Sequence, residues 1–274
     1  MACVHPNAVA HPLRPFLRRQ TSLLHSGHFR RLFTSTGLNT SPSNRRERPV
    51  QPVFAQPRRS FSSTAKEAAV ASPADLLFKS PLKIVEYPDP ILRAKNKRVN
   101  TFDESLKNLV AEMFDVMYRT DGIGLSAPQV GINVELMVFN PVGERGEGEE
   151  IVLVNPQIKR FSRNIVPFDE GCLSFPGIYG DVERPDALQV DAQDITGARF
   201  EVNLTGLPAR VFQHEYDHLQ GILFFDRMSD EVLQTVRAEL EALEKKYEET
   251  TGLPSPERID KRRRKKKAVG FGKP

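Results

Sequence analysis

The chain has 274 residues, 39 Lys+Arg against 35 Asp+Glu, and two cysteines, Cys3 and Cys172. Two thiols exclude a disulfide framework, and no apolar run is long enough to span a membrane. The formal charge of +4 averages three unlike parts. A basic leader is followed by residues 66–260, which hold 21 bases against 34 acids, and by a basic tail.

The leader, 1–65, holds ten arginines (Arg14, Arg18, Arg19, Arg30, Arg31, Arg45, Arg46, Arg48, Arg58 and Arg59), no lysine and one acid, Glu47. Serine and threonine are frequent, and prolines interrupt most candidate helices. Arginine-rich, serine-rich and acid-poor composition is that of an organellar transit peptide, disordered and removed after import. Residues 74–253 have the size of one ordinary domain and contain no internal repeat. Residues 254–274 read as a disordered basic tail. Its run Lys261 to Lys267 cannot fold alone and suits phosphate contacts such as ribosomal RNA, or a solvated end.

Within the domain, Leu82-Lys83-Ile84-Val85 predicts a short strand ended by Tyr87-Pro88-Asp89-Pro90. Asp103 to Arg119 predicts an amphipathic helix with Leu106, Leu109, Val110, Met113, Phe114 and Met117 on one face. Val134 to Asn140 and Ile151 to Asn155 predict strands joined by the loop Gly143 to Glu150. Leu188 to Ala192 and Arg199 to Leu204 alternate with period two across the turn Asp194 to Gly197, an antiparallel signal. A helix follows from about Leu207, with Pro208 in its first turn and Gly221 past its end. Val232, Leu233, Val236, Leu240, Leu243 and Tyr247 predict a last helix over Ser229 to Glu249. Strands in runs with separated helices give an α+β fold.

After the leader the chain has two histidines, His214 and His218, and one cysteine, Cys172. In His214-Glu215-Tyr216-Asp217-His218, four-residue helical spacing puts both imidazoles on one face, with Glu215 about 100 degrees round beside them. This is a metal chelate with a carboxylate in reach of an activated water. Asp217 lies on another face, either in solvent or behind a ligand. The third ligand has one thiol to come from, Cys172 in Glu170-Gly-Cys-Leu-Ser174. A Cys-His-His set leaves an open fourth position, as catalytic zinc sites do, and a thiolate also suits ferrous iron.

The string Gly122-Ile-Gly-Leu-Ser-Ala-Pro-Gln129 matches Gly-x-Gly-x-x-Ala. A helix precedes it and Pro128 opposes one after it, so it is no dinucleotide fingerprint, and no nucleotide cofactor is expected. Glycines that admit close backbone approach, followed by an amide donor, fit a substrate edge and an oxyanion partner.

In order, Gly122 to Gln129, Glu170 to Ser174 and Gln213 to His218 resemble the three motifs of the peptide deformylases, and Ile84 to Arg93 resembles that family's opening segment. The resemblance implies antiparallel sheets wrapped around the HExxH helix, with a helix at the C-terminal end. It implies removal of the formyl group from the N-formylmethionine of nascent organellar chains. Cys172, His214 and His218 would hold one Fe2+ or Zn2+. Glu215 would act as general acid and base for the attacking water, with Gln129 and the Leu173 N–H facing the oxyanion. Gly124 would pair with substrate backbone, and Ile123, Glu170 and Leu207 would frame the methionine pocket. Ser126 departs from the family's paired alanines and implies a changed local hydrogen bond. Tyr179 stands where bacterial members often carry a substrate-facing arginine. With the leader, the resemblance places the chain in the plastid stroma, while the arginine density leans towards the mitochondrion. HExxH alone also permits a metallopeptidase, and the tail permits a ribosome- or RNA-binding protein with a degenerate metal site.

Overall fold

A computed structural model describes residues 69–259, so the leader and the basic run 261–267 lie outside the described residues. The first helix, α1 (Glu104–Arg119), begins where Asp103 accepts hydrogen bonds from the Ser105 and Leu106 N–H groups (3.0 and 3.2 Å), and it buries the whole predicted apolar face. A short strand, β1 (Gly124–Ser126), and a 3-10 turn over Ala127–Val130 lead to β2 (Leu136–Phe139). The chain continues as β3 (Ile151–Phe161), β4 (Ile165–Cys172), β5 (Phe175–Pro185), β6 (Ala187–Gln193) and β7 (Arg199–Thr205). Then come α2 (Gly206–Leu219), α3 (Asp230–Thr235) and α4 (Arg237–Thr251).

All strand pairings are antiparallel and form two sheets. One runs β1-β2-β3-β6-β7, and the other is the hairpin β4-β5. Strand β2 shows what organises them. Its four residues are all buried, which a half-exposed strand would not allow. Leu136 and Val138 join the core under α1, whereas Met137 and Phe139 join the core under α2. The large sheet is thus covered on both faces where the site lies, and α2 packs against β1, β2, β5, β6 and β7. A third core, rich in phenylalanine, joins Cys172, Phe175, Phe224 and Phe225 to α3 and α4.

Three expectations need correction, and one hairpin is added to them. Residues 82–85 form no strand: the Val85 N–H donates to the Gln129 carbonyl (2.8 Å) and the Tyr87 N–H to the Ser174 carbonyl (2.9 Å), so this segment clips two site loops together instead of joining a ladder. The last helix is broken at Val236, where Thr235 Oγ1 donates back to the Val232 carbonyl (2.7 Å), a bond that competes with helix continuation. The β4-β5 hairpin carries no clear strand signal in the sequence, because Pro167 weakens β4 and the buried face of β5 includes Gly180 and Arg184 beside Ile178 and Val182. In a two-stranded sheet both strands are edges, where proline is tolerated.

The domain also extends past Leu253. Ile259 is buried in the phenylalanine-rich core, and its N–H donates to Glu244 (2.7 Å). Glu257 pairs with Arg93 (2.6 Å), which also binds Asp226. A chain ending at Leu253 should therefore lose about 2–3 kcal/mol through Ile259 and its ion pairs, seen as a Tm about 5–10 °C lower than that of a chain ending at Asp260. Equal melting temperatures would show that this segment contributes nothing.

Candidate metal centre and active site

Helix α2 carries His214 and His218 on one face, and the β4-β5 hairpin brings Cys172 to them from a different sheet. One ligand atom from each of Cys172, His214 and His218 lies within 4.8 Å of the other two, and all three residues are buried. Cys172 Sγ stands 3.2 Å from His218 Nε2. Two such ligands sharing an ion at tetrahedral angles would stand roughly 3.5 Å apart. His214 Nε2 is buried with no hydrogen-bond partner, an orphan that a metal would satisfy.

Electrostatics set the two imidazoles apart. Burial pushes His218 well below the usual imidazole range, so the ring is neutral, as a ligand must be. Burial also acts to lower His214, but the Cys172 sulfur and the Glu170 carboxylate outweigh it and raise its pKa. Positive charge is stabilised at the His214 ring, beside the Cys172 sulfur and the Glu170 carboxylate.

Around the ligands stand the other residues of the motifs. Glu215 is fully buried, neither of its oxygens has a hydrogen-bond partner, and burial pushes its carboxyl up to about 7. The Ser126 hydroxyl is close enough to temper that shift, but it gives its hydrogen bond to Gln129 Oε1 (2.9 Å), as does the Ser126 N–H (2.9 Å). Pinned through its oxygen, the Gln129 amide directs Nε2 at Cys172 Sγ and Ser174 Oγ, both at 3.5 Å. Gly124 lies so close to Glu215 that a Cβ there would stand 2.6 Å from Oε1.

A buried, unpartnered carboxylate, three residues that could hold a metal ion and a fixed amide are thereby gathered in one buried place. The polypeptide deformylase family model matches residues 81–234, which span all of these groups. The chain belongs to this family.

Curated relatives of the deformylase include the chloroplastic peptide deformylase 1B of Solanum lycopersicum and the chloroplastic/mitochondrial peptide deformylase 1B of Arabidopsis thaliana. Each is 62% identical over 261 residues, covering 95% of this chain and 94% of the relative. A crystal structure of a plant peptide deformylase 1B is 75% identical, covers 66% of this chain and 99% of its own, and gives a TM-score of 0.66. The Plasmodium falciparum enzyme gives 46% identity, 61% and 98% coverage and a TM-score of 0.60. The α+β fold with antiparallel sheets and a C-terminal helix is that of these neighbours.

Not every expected pocket residue of the deformylase is drawn into the cluster. Ile123 is buried in the core under α2 beside Met137 and Phe139. Leu173 is buried directly after Cys172, its side chain against Gly122. Leu207 is 39% exposed in the first turn of α2, about 10 Å along the axis from His214. Glu170 is wholly committed elsewhere. Its Oε2 accepts from His214 Nδ1 (3.0 Å) and Arg184 Nη2 (3.0 Å), and its Oε1 accepts from Arg184 Nε and Arg210 Nη1 (2.7 Å each). It holds the His214 ring by Nδ1 and leaves Nε2 as the nitrogen free to meet an ion.

Asp217 is buried behind the ligands, paired with Arg184 (2.7 Å) and Arg227 (2.5 Å). Sequence reasoning missed Arg184 and Arg210. A signal was present for Arg210, an arginine inside the apolar run Ala209-Arg210-Val211-Phe212, one turn before His214 and on its face of the helix.

Proposed function

We propose that Cys172, His214 and His218 hold one divalent ion, Fe2+ or Zn2+, and that Glu215, Gln129 and Leu173 carry out hydrolysis of the formyl group from N-formylmethionine on nascent plastid chains. The observation that carries this reading is the union of the Cys-His-His cluster with an unpartnered, buried Glu215. Such an ion supplies Lewis acidity and activates a water near neutral pH. Glu215, held near neutrality, takes the water's proton and returns it to the departing amine. Gln129 Nε2 and the Leu173 N–H donate to the oxygen that gains charge, and because Ser126 already fixes the amide, no reorganisation is needed when that charge appears.

Strand β1 is an edge of its sheet, so Gly124 can accept an extended peptide as an added strand. Ile123 and Leu207 frame the methionine side chain, with Glu170 acting behind the metal ligand. The leader 1–65 and the names of the relatives support import into the plastid, with the stroma as the site of action and the mitochondrion as a second destination. The run 261–267 supports contact with the organellar ribosome through RNA phosphates.

The test is amine release from formyl-Met-Ala-Ser by anaerobically purified full chain. Activity should disappear on chelation and return with Fe2+ or Zn2+, the faster-restoring ion being the better candidate for the native one. Cleavage of the unformylated peptide at a comparable rate would establish a metallopeptidase instead.

A further inference from the structure

We propose that Arg210 is a positioning residue for the metal site, fixing the helix that bears His214 against the hairpin that bears Cys172. The inference rests on the metal-centre reading above. The ligand set is divided between two elements, α2 and the β4-β5 hairpin, so its geometry depends on how rigidly they are joined. Arg210, one turn before His214, is one fastening of that joint, beside Arg184, which reaches from β5 to Asp217 on α2. Its Nη1 donates to Glu170 Oε1 (2.7 Å) and to the Val182 carbonyl on β5 (3.0 Å), and its Nη2 donates to the Val166 carbonyl on β4 (2.5 Å). Its guanidinium also lies 5.1 Å from the centre of the Phe168 ring.

Charge balance does not explain this placement. The buried acids Glu170 and Asp217 already share Arg184, and Arg227 adds a second base to Asp217. What Arg210 adds is geometry: a planar fork that grips a carboxylate and both strands of the hairpin at once, which a point-like ammonium cannot reproduce. The Glu170 carboxylate so held is the acceptor for His214 Nδ1, and outer partners of metal ligands typically contribute about 10–100-fold in metal affinity.

The experiment uses full-length chain with Co2+ as the probe, in Arg210→Met and Arg210→Lys. Chelator competition should show Co2+ affinity lower by about 10–100-fold in Arg210→Met, with shifted visible absorption bands that report altered ligand geometry. The kcat for formyl-Met-Ala-Ser should fall while KM stays within about two-fold. Arg210→Lys, which can still reach Glu170 but cannot grip both strands, should show a smaller but measurable loss, between about two-fold and ten-fold. Wild-type affinity and an unshifted spectrum in Arg210→Met would overturn the proposal even if its melting temperature drops, because Arg210 would then only brace the hairpin. Should that variant not fold, Arg210→Lys decides, and wild-type affinity and spectrum there are equally fatal. If wild-type chain binds Co2+ but releases no amine from the formylated peptide, the deformylase reading fails while the Co2+ comparison still judges Arg210.

Discussion

Glu215→Gln should lower kcat on formyl-Met-Ala-Ser by about 10²–10⁴-fold, the range that a positioned general acid–base contributes, while the chain keeps its full metal content. The substitution preserves shape and removes the ability to accept a proton. Glu215 is fully buried with both oxygens unpartnered, and burial raises its carboxyl to about 7, which suits a group that must both take and return a proton near neutral pH. A folded-state pKa above the unfolded one means that ionised Glu215 costs stability at neutral pH, so the metal-free variant should melt no lower than metal-free wild type. Metal content measured beside kcat separates this from simple loss of the ion. Activity within about ten-fold of wild type in a metal-replete variant would remove Glu215 from the chemistry.

Gly124→Ala should lower kcat by about 100-fold through one added methyl group. A Cβ at Gly124 would stand 2.6 Å from Glu215 Oε1 and 2.6 Å from Val211 Cγ1. Both neighbours are buried, and overpacking of this kind costs about 1–3 kcal/mol. The carboxylate must give way, because Val211 is packed among Met137, Phe139 and Phe212 in the core under α2. Displacing it by a fraction of an ångström misaligns the proton transfer, so kcat suffers more than KM and metal content is unchanged. A rate within two-fold of wild type, with a normal melting temperature, would mean that the site relaxes freely and that the tight approach of β1 to α2 has no role in positioning Glu215.

These two residues mark how far the sequence could be read. His214, Glu215 and His218 were legible because helical periodicity converts a four-residue spacing into a shared face without any knowledge of the rest of the fold. The same holds for α1, whose apolar spacing and Asp103 cap are local, and for the hairpin of β6 and β7, whose alternation survives because one face is buried. Cys172 could be nominated by elimination, since no other thiol follows the leader. Its hairpin could not be read, because the buried positions of β5 include Gly180 and Arg184, and the buried arginine is tolerable only beside Glu170 and Asp217.

The Glu170 carboxylate makes the same point in reverse. The resemblance implies a substrate pocket for it, and although Arg210 stands out inside an apolar run, nothing local in the sequence pairs Glu170 with Arg184 and Arg210, which converge on it from β5 and α2. The sequence alone determined which residue types stand in the three motifs and, through helical spacing, that His214 and His218 share a face with Glu215 beside them. Only the tertiary structure decided which oxygen of Glu170 holds His214, how Ser126 aims Gln129, and that Glu257 and Ile259 belong to the domain. Those contacts join residues far apart in the chain, and their energies exist only once the two sheets, α2 and the C-terminal segment have closed around a common interior.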